Sequence, residues 1–235
     1  MTTVSARNCA MSSERASPRR AVKTKNGLAR RIVSSPATKH SKFWIVAGPN
    51  GAGKSSLYEL IDIETEDGSV WIINPDLLSA RIAAIENINA RQANIEAVKR
   101  IENWLEASIQ AHQTIGVETV LSTGKYRRLV TAAKKIQFEI NFIYVLLAKP
   151  EMHVERVRLR VLKGGHDVPV RKILERRGRS LEQLPWFLQH ADRAWLYDNS
   201  AAEPRLMGAK SDGVITLDPE ALPEIKSAVE RIKSN

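Results

Sequence analysis

Phe43-Trp44-Ile45-Val46-Ala47-Gly48-Pro49-Asn50-Gly51-Ala52-Gly53-Lys54-Ser55-Ser56 is the stretch that decides the fold of this chain. Its five leading apolar residues read as a buried strand. Residues 48–55 match G-x-x-x-x-G-K-[ST], the loop that wraps a chain of phosphates. The pattern carries that meaning between a strand and a helix, and residues 54–61 supply the helix. Glycines at 48, 51 and 53 let backbone N–H groups converge on an anion with no side chain in the way. Lys54 is the point charge expected on the β- and γ-phosphates of ATP, and the Ser55 hydroxyl is the expected ligand of Mg²⁺. Gly48, Pro49, Asn50, Gly51, Ala52, Gly53, Lys54, Ser55 and Ser56 are therefore the candidate nucleotide-binding residues.

Working outward, short apolar runs alternate with amphipathic stretches of helix length. Strands are expected at 43–47, 70–73, 117–121, 140–147 and 214–217, and helices at 54–61, 89–110 and 126–136. In 89–110, Ile95, Val98, Ile101, Trp104, Leu105 and Ile109 recur at spacings of three and four. Near-continuous apolar runs such as Phe142-Ile143-Tyr144-Val145-Leu146-Leu147 suit strands covered on both faces. The expected architecture is a three-layer α/β fold of the P-loop NTPase and kinase type, with a mainly parallel sheet over residues 41–235.

Composition narrows the function classes. The formal charge is +10 over 235 residues, but residues 1–40 hold nine basic residues against the single acid Glu14, hence +8, which leaves +2 for the rest. The basic character thus belongs to one Ser-, Thr- and Arg-rich segment without apolar periodicity, read as a disordered basic tail. It gives little support to nucleic acid as the substrate of the folded part. The longest apolar run, residues 142–148, falls far short of the roughly 20 residues that cross a bilayer, so no membrane partner is expected. Cys9 is the only cysteine, which removes internal disulfides and cysteine-held zinc and fits a cytoplasmic setting.

The phosphate loop alone does not separate kinases from other nucleotidases. N-K-x-D, which reads guanine, is missing, and so is the L-S-G-G-Q of transport ATPases. The apolar strand ending at Leu147 runs into Ala148-Lys149-Pro150 without the aspartate of a Walker B strand, so the acid comes from elsewhere. Asp76, in Asn74-Pro75-Asp76, and Glu118, in Val117-Glu118-Thr119, both fall at strand ends, where ligands collect in parallel α/β sheets. For Asp76 two readings are open: a base that takes the proton of an attacking hydroxyl, or a helix N-cap ahead of Leu77 and Leu78. A carboxylate at 118 is costly to bury without a cation or polar partner.

Residues 155–180 carry Arg156, Arg158, Arg160, Arg171, Arg176, Arg177 and Arg179, interrupted by Gly164-Gly165-His166-Asp167-Val168-Pro169. Two helices joined by a glycine pair read as an arginine-rich helical lid, which can bring cations over a transferring phosphoryl group. His166 is either a turn residue or a direct contact.

Taken together these motifs resemble the zeta-toxin family of P-loop kinases, in particular its compact chromosomal-type branch. The likeness runs over residues 42–200. It rests on the phosphate loop, Asn74-Pro75-Asp76, Glu118-Thr119, Lys149-Pro150-Glu151, Arg156-Val157-x-x-Arg160-Val161, Gly164-Gly165-His166-x-Val168-Pro169, Arg176-Arg177, Arg179-Ser180-Leu181 and Asp198-Asn199-Ser200. The resemblance implies ATP and Mg²⁺ as cofactors, and phosphorylation of a sugar hydroxyl of UDP-N-acetylglucosamine, which would starve cell-wall synthesis. It also implies a small antitoxin as partner. By motif position Asp76 corresponds to the family's proton acceptor and Lys54 to its phosphate-loop lysine. Arg160 and Arg176 correspond to its γ-phosphate clamps, and Glu118, with Thr119 and His166, to its substrate contacts. Two alternatives stand beside this expectation: a P-loop kinase acting on another metabolite or on a nucleic-acid hydroxyl, and a regulatory ATP-binding module.

Overall fold

Strand β1 (Lys42–Ala47) buries both faces: Phe43, Ile45 and Ala47 point to one side of the sheet, Trp44 and Val46 to the other, and all are at most 2% exposed. A strand with no solvated face belongs in the middle of a covered sheet, and β1 lies there. The computed structural model describes residues 40–60, 64–65 and 68–234. Apart from His40, the expected tail over 1–40 falls outside the described residues.

After β1 come α1 (Lys54–Leu60), β2 (Glu64–Thr65), β3 (Gly68–Ser69), β4 (Ile72–Ile73), α2 (Pro75–Glu86), α3 (Ala90–Gln110), β5 (Ile115–Thr119) and α4 (Arg127–Lys135). Then follow β6 (Glu139–Leu146), α5 (Pro150–Leu162), α6 (Val170–His190), β7 (Arg193–Asp198), β8 (Arg205–Ser211), β9 (Val214–Leu217) and α7 (Pro223–Lys233). Seven strands form one sheet in the order β4-β5-β1-β6-β7-β8-β9, and β2 pairs with β3 separately. The first five of that order are mutually parallel, while β8 and β9 add antiparallel edges. The mainly parallel α/β architecture expected from the sequence is therefore the one found.

The larger core lies on the sheet face that carries Phe43, Ile45, Phe142 and Leu196. There α3, α4, α6 and α7 bury Ile101, Leu105, Leu129, Phe187 and Ile225. Each fully buried side chain of this kind stabilises by about 1.5–3 kcal/mol. The opposite face holds a smaller cluster of Trp44, Val46, Ile143 and Val145 beneath Leu57 of α1. Pro185 lies inside α6 and lacks the N–H that would bond the Leu181 carbonyl; Arg231 of α7 donates to that carbonyl at 3.2 Å instead.

Several element boundaries differ from the sequence expectation. The strand expected at 117–121 lies at Ile115–Thr119, because Leu121 turns into the left-handed region at φ 59° and its N–H bonds Thr119 Oγ1 at 3.0 Å. Strands β7 and β8 and helix α7 were not anticipated at all. In strand β7 half-buried positions interrupt the buried ones, a weaker signal than the continuous run of β6. Asp76 is not the N-cap of α2. That position belongs to Asn74, with Pro75 next to it. Among the described residues no helix is long and apolar enough to cross a membrane.

Candidate active site

Because β4, β5, β1, β6 and β7 run parallel, the segments that leave their carboxyl ends share one edge: Asn74, Glu118 with Thr119, residues 48–55, Leu147 and Asn199. That edge is where a doubly covered sheet collects ligands. The strand order also settles a point the sequence left open. Strand β5 is the direct neighbour of β1, with Val46 opposite Glu118 and Ala47 opposite Thr119, so Glu118 shares the sheet face of Val46, the face α1 covers.

The phosphate loop is held from behind by its carbonyls. Pro49 O accepts from Ala52 N–H at 3.2 Å and from Lys54 Nζ at 3.2 Å. Asn50 O is bonded by His153 Nδ1 of α5 at 2.9 Å, and Ala52 O by Asn199 Nδ2 at 2.8 Å. With its carbonyls engaged outward, the loop is left to present backbone N–H groups toward an anion. The packing is close enough to dictate glycine. A Cβ on Gly48, at φ 147°, would stand 2.2 Å from Val145 O, and one on Gly51, at φ 74°, would stand 2.5 Å from His153 O.

His153 is fully buried, and since a carbonyl only accepts, Nδ1 carries its proton and Nε2 is a bare lone pair with no partner among the described residues. Burial pushes its pKa down to about 4. The hydrogen bond to Asn50 opposes this shift, while the nearby Arg177, Lys54 and Arg156 cations add to it. The imidazole is a neutral strut under the loop.

Lys54 and Glu118 form a shielded pair: Nζ lies 3.6 Å from Oε1, with the side chains 7% and 12% exposed. The other carboxylate oxygen accepts from Ser55 Oγ at 2.7 Å and from Asn74 Nδ2 at 3.0 Å. Glu118 thus stands beside the two loop residues expected to meet phosphate and metal. The desolvation cost of burying this carboxylate is offset by one cation and two hydrogen-bond donors.

Asp76 occupies the first turn of α2, exposed, and its carboxylate has no hydrogen bond or ion pair among the described residues. Thr119 reaches the loop through its carbonyl, which accepts from Gly48 N–H at 3.2 Å. Ser56 is exposed in the first turn of α1.

The lid candidates divide. Arg176 of α6 donates to Asn50 Oδ1 at 3.3 Å, so it touches the loop. Arg156 of α5 donates to Asn199 O at 2.6 Å, and its Nη1 lies 3.2 Å from where a Cβ on Gly53 would be. Arg160 donates instead to His166 O at 2.7 Å, bracing the turn between α5 and α6, while the His166 imidazole is exposed. Arg177 turns away from the loop toward Glu224 of α7 at 2.7 Å. The structure therefore gathers Lys54, Ser55, Glu118, Thr119 and Arg176 at the loop and leaves Arg160 and His166 paired at the lid turn. His153 and Asn199 as loop supports were not foreseen. Neither is marked in a linear sequence, although Asn199 sits in a motif that the sequence singled out.

The sequence model of the zeta toxin family matches residues 25–185, more than half of the chain. An uncharacterized protein of Haemophilus influenzae is 26% identical over 132 residues, which is 53% of this chain and 89% of that protein. Among solved structures, AvrRxo1-ORF1:-ORF2 with ATP superposes with a TM-score of 0.59 at 15% identity, covering 82% of this chain and 63% of that one. The structure from the PezAT chromosomal toxin-antitoxin system of Streptococcus pneumoniae superposes with a TM-score of 0.51 at 17% identity, covering 75% of each chain. These structural likenesses establish a shared fold, and this chain spans less than two thirds of the chain it matches in the AvrRxo1-ORF1:-ORF2 structures.

Proposed function

We propose that this chain, which belongs to the zeta toxin family of P-loop kinases, transfers the γ-phosphoryl group of ATP to a sugar hydroxyl of UDP-N-acetylglucosamine, as the toxin of a toxin-antitoxin pair. One observation carries the kinase part of the reading. Asp76, an exposed carboxylate without a partner among the described residues, sits on a helix whose cap residue is bonded to Glu118, the acid beside Ser55 and Lys54. A regulatory nucleotide-binding module has no use for a free base at that place, whereas transfer to an alcohol needs one.

In the proposed reaction the acceptor oxygen attacks the γ-phosphorus, and its new O–P bond forms as the bond from that phosphorus to the β–γ bridging oxygen breaks. The acceptor proton passes to the Asp76 carboxylate, and ADP leaves. Lys54 and the loop N–H groups hold the β- and γ-phosphates, and Arg176 supplies further positive charge from the lid side. Arg160 joins them only if the turn it braces moves.

Residues suited to Mg²⁺ are present: the Ser55 hydroxyl and the Glu118 carboxylate are hard oxygen donors 2.7 Å apart. Mg²⁺ characteristically takes one or two protein oxygens and completes its shell with phosphates and water, so a three-carboxylate cluster is not required. When bound, the ion neutralises charge on the β- and γ-oxygens.

The toxin role and the antitoxin are supported by family membership and by the PezAT neighbour, which comes from a toxin-antitoxin system, and the acceptor by the motif resemblance set out above. The deciding experiment incubates the protein with MgATP and a panel of UDP-sugars, nucleosides and 5′-hydroxyl oligonucleotides, and follows acceptor mass. A gain of one phosphoryl group on UDP-N-acetylglucosamine, lost in Lys54→Ala, supports the proposal. Phosphorylation confined to another panel member overturns the acceptor, and ADP release indifferent to every acceptor overturns the kinase.

A further inference from the structure

Asn74 stands at the joint between the two halves of this site. Its Oδ1 accepts from Asp76 N–H at 2.9 Å and Leu77 N–H at 3.3 Å, the capping bonds of α2. On its other side Nδ2 donates to Glu118 Oε2 at 3.0 Å and lies 3.5 Å from Ser55 Oγ, the outer edge of hydrogen-bonding range. The amide orientation is dictated by its neighbours, since two N–H donors require the oxygen and a carboxylate requires the NH₂. Its backbone is equally constrained: the following Pro75 favours the extended region, and Asn74 sits at φ −99°, ψ 114°.

Capping alone does not call for this residue. Serine, threonine or aspartate would accept the same N–H groups about as well. What asparagine adds is a donor on the opposite side, and that donor ends on the one carboxylate that also contacts Ser55 and Lys54. We propose that Asn74 is a positioning residue that locks the acceptor-side helix α2 to the metal-side pair Ser55–Glu118. The base and the metal-bound phosphates are then held in one register. The inference rests on the kinase reading above.

Asn74→Ser separates the two roles, because the hydroxyl keeps the cap but is too short to replace the amide donor. The full-length wild type, Asn74→Ser, Glu118→Gln, the double variant and Lys54→Ala are compared by three measurements. These are the affinity for a non-hydrolysable ATP analogue with and without Mg²⁺, turnover with the acceptor identified by the panel or with water, and melting temperature. Loss of a residue that orients a ligand typically costs about 10- to 100-fold in metal affinity or activity.

For Asn74→Ser the expected result is a melting temperature lowered by only a few degrees, as loss of one donor to Glu118 predicts, and an unchanged metal-free affinity. The Mg²⁺-dependent tightening should fall about tenfold, and turnover by a similar factor. In the Glu118→Gln background the same substitution should add little, since the partner of its donor is already altered. Mg²⁺-dependent tightening and turnover both within twofold of wild type would make Asn74 a cap only and overturn the proposal. So would a loss of metal-free affinity in step with melting temperature, full additivity with Glu118→Gln, or a wild type whose affinity ignores Mg²⁺. Undiminished turnover in Lys54→Ala strikes the kinase reading instead, a result distinct from any of these.

Discussion

Replacing His153 by glutamine should remove a defined part of the acid sensitivity of this fold. The imidazole is fully buried under the phosphate loop, its Nε2 has no partner among the described residues, and its pKa is held at about 4 against an ordinary 6.5. Between those two values the unfolded chain binds a proton that the folded one refuses, so stability falls as pH drops through that window. One pKa unit corresponds to about 1.4 kcal/mol, which makes the loss about 2 kcal/mol by pH 5 and about 3 kcal/mol by pH 4, relative to pH 7. Above the unfolded value of 6.5 the contribution is fully retained. Urea unfolding at pH 7, 6 and 5 reads this directly. With a slope of about 2 kcal/mol per molar, the wild-type midpoint should move down by about 1 M from this one group. Carboxylates titrating near pH 4 affect wild type and variant alike, so the informative quantity is the difference between the two proteins. His153→Gln keeps an amide donor for Asn50 O and has no titration, so the gap between its midpoint and that of the wild type should narrow as pH falls from 7 to 5. A gap that stays constant over that range refutes the assignment of His153 as a neutral buried strut.

Asp76→Asn should lower acceptor-dependent turnover by about 10² to 10⁴ while leaving ATP affinity within a few-fold. Its melting temperature should barely move, since Asn74 holds the cap and Asp76 itself is exposed; turnover within threefold of wild type, measured by ADP release, would exclude Asp76 as the base. Gly51→Ala should destabilise the fold by about 1–3 kcal/mol through its backbone conformation alone. Because its Cβ would also meet His153 O at 2.5 Å, nucleotide affinity should fall with it, and titration with an ATP analogue beside thermal unfolding checks both. Arg176→Lys keeps the charge but loses the fork that reaches Asn50, so turnover should drop about tenfold or more with ATP affinity less affected, as steady-state kinetics would read.

The phosphate loop was legible in the sequence because its chemistry is local: eight consecutive residues set the turn, the donors and the cation. Asp76 and Glu118 were legible as carboxylates at strand ends, but which side chains each stands beside depends on strand order. The absence of an aspartate after Leu147 looked like a missing Walker B acid only while β6 was taken as the relevant strand. With β5 directly beside β1, Glu118 is the acid that meets Ser55 at 2.7 Å. His153 and Asn199 were hidden because each acts on one backbone carbonyl, 103 and 147 positions away in sequence, and no spacing rule records such a contact.

The Arg176-Arg177 motif divides between two partners in the fold. Adjacent residues on an α-helix point about 100° apart, so Arg176 and Arg177 leave α6 in different directions. Arg176 takes Asn50 Oδ1, and Arg177 takes Glu224 at 2.7 Å behind it. The second arginine therefore fixes α6 against α7 and so holds steady the helix from which the first one reaches. Of this adjacent pair one arginine reaches the loop, and the other anchors the helix that carries it. Arg177→Lys should accordingly act first on stability and only through it on turnover, the opposite ranking to Arg176→Lys.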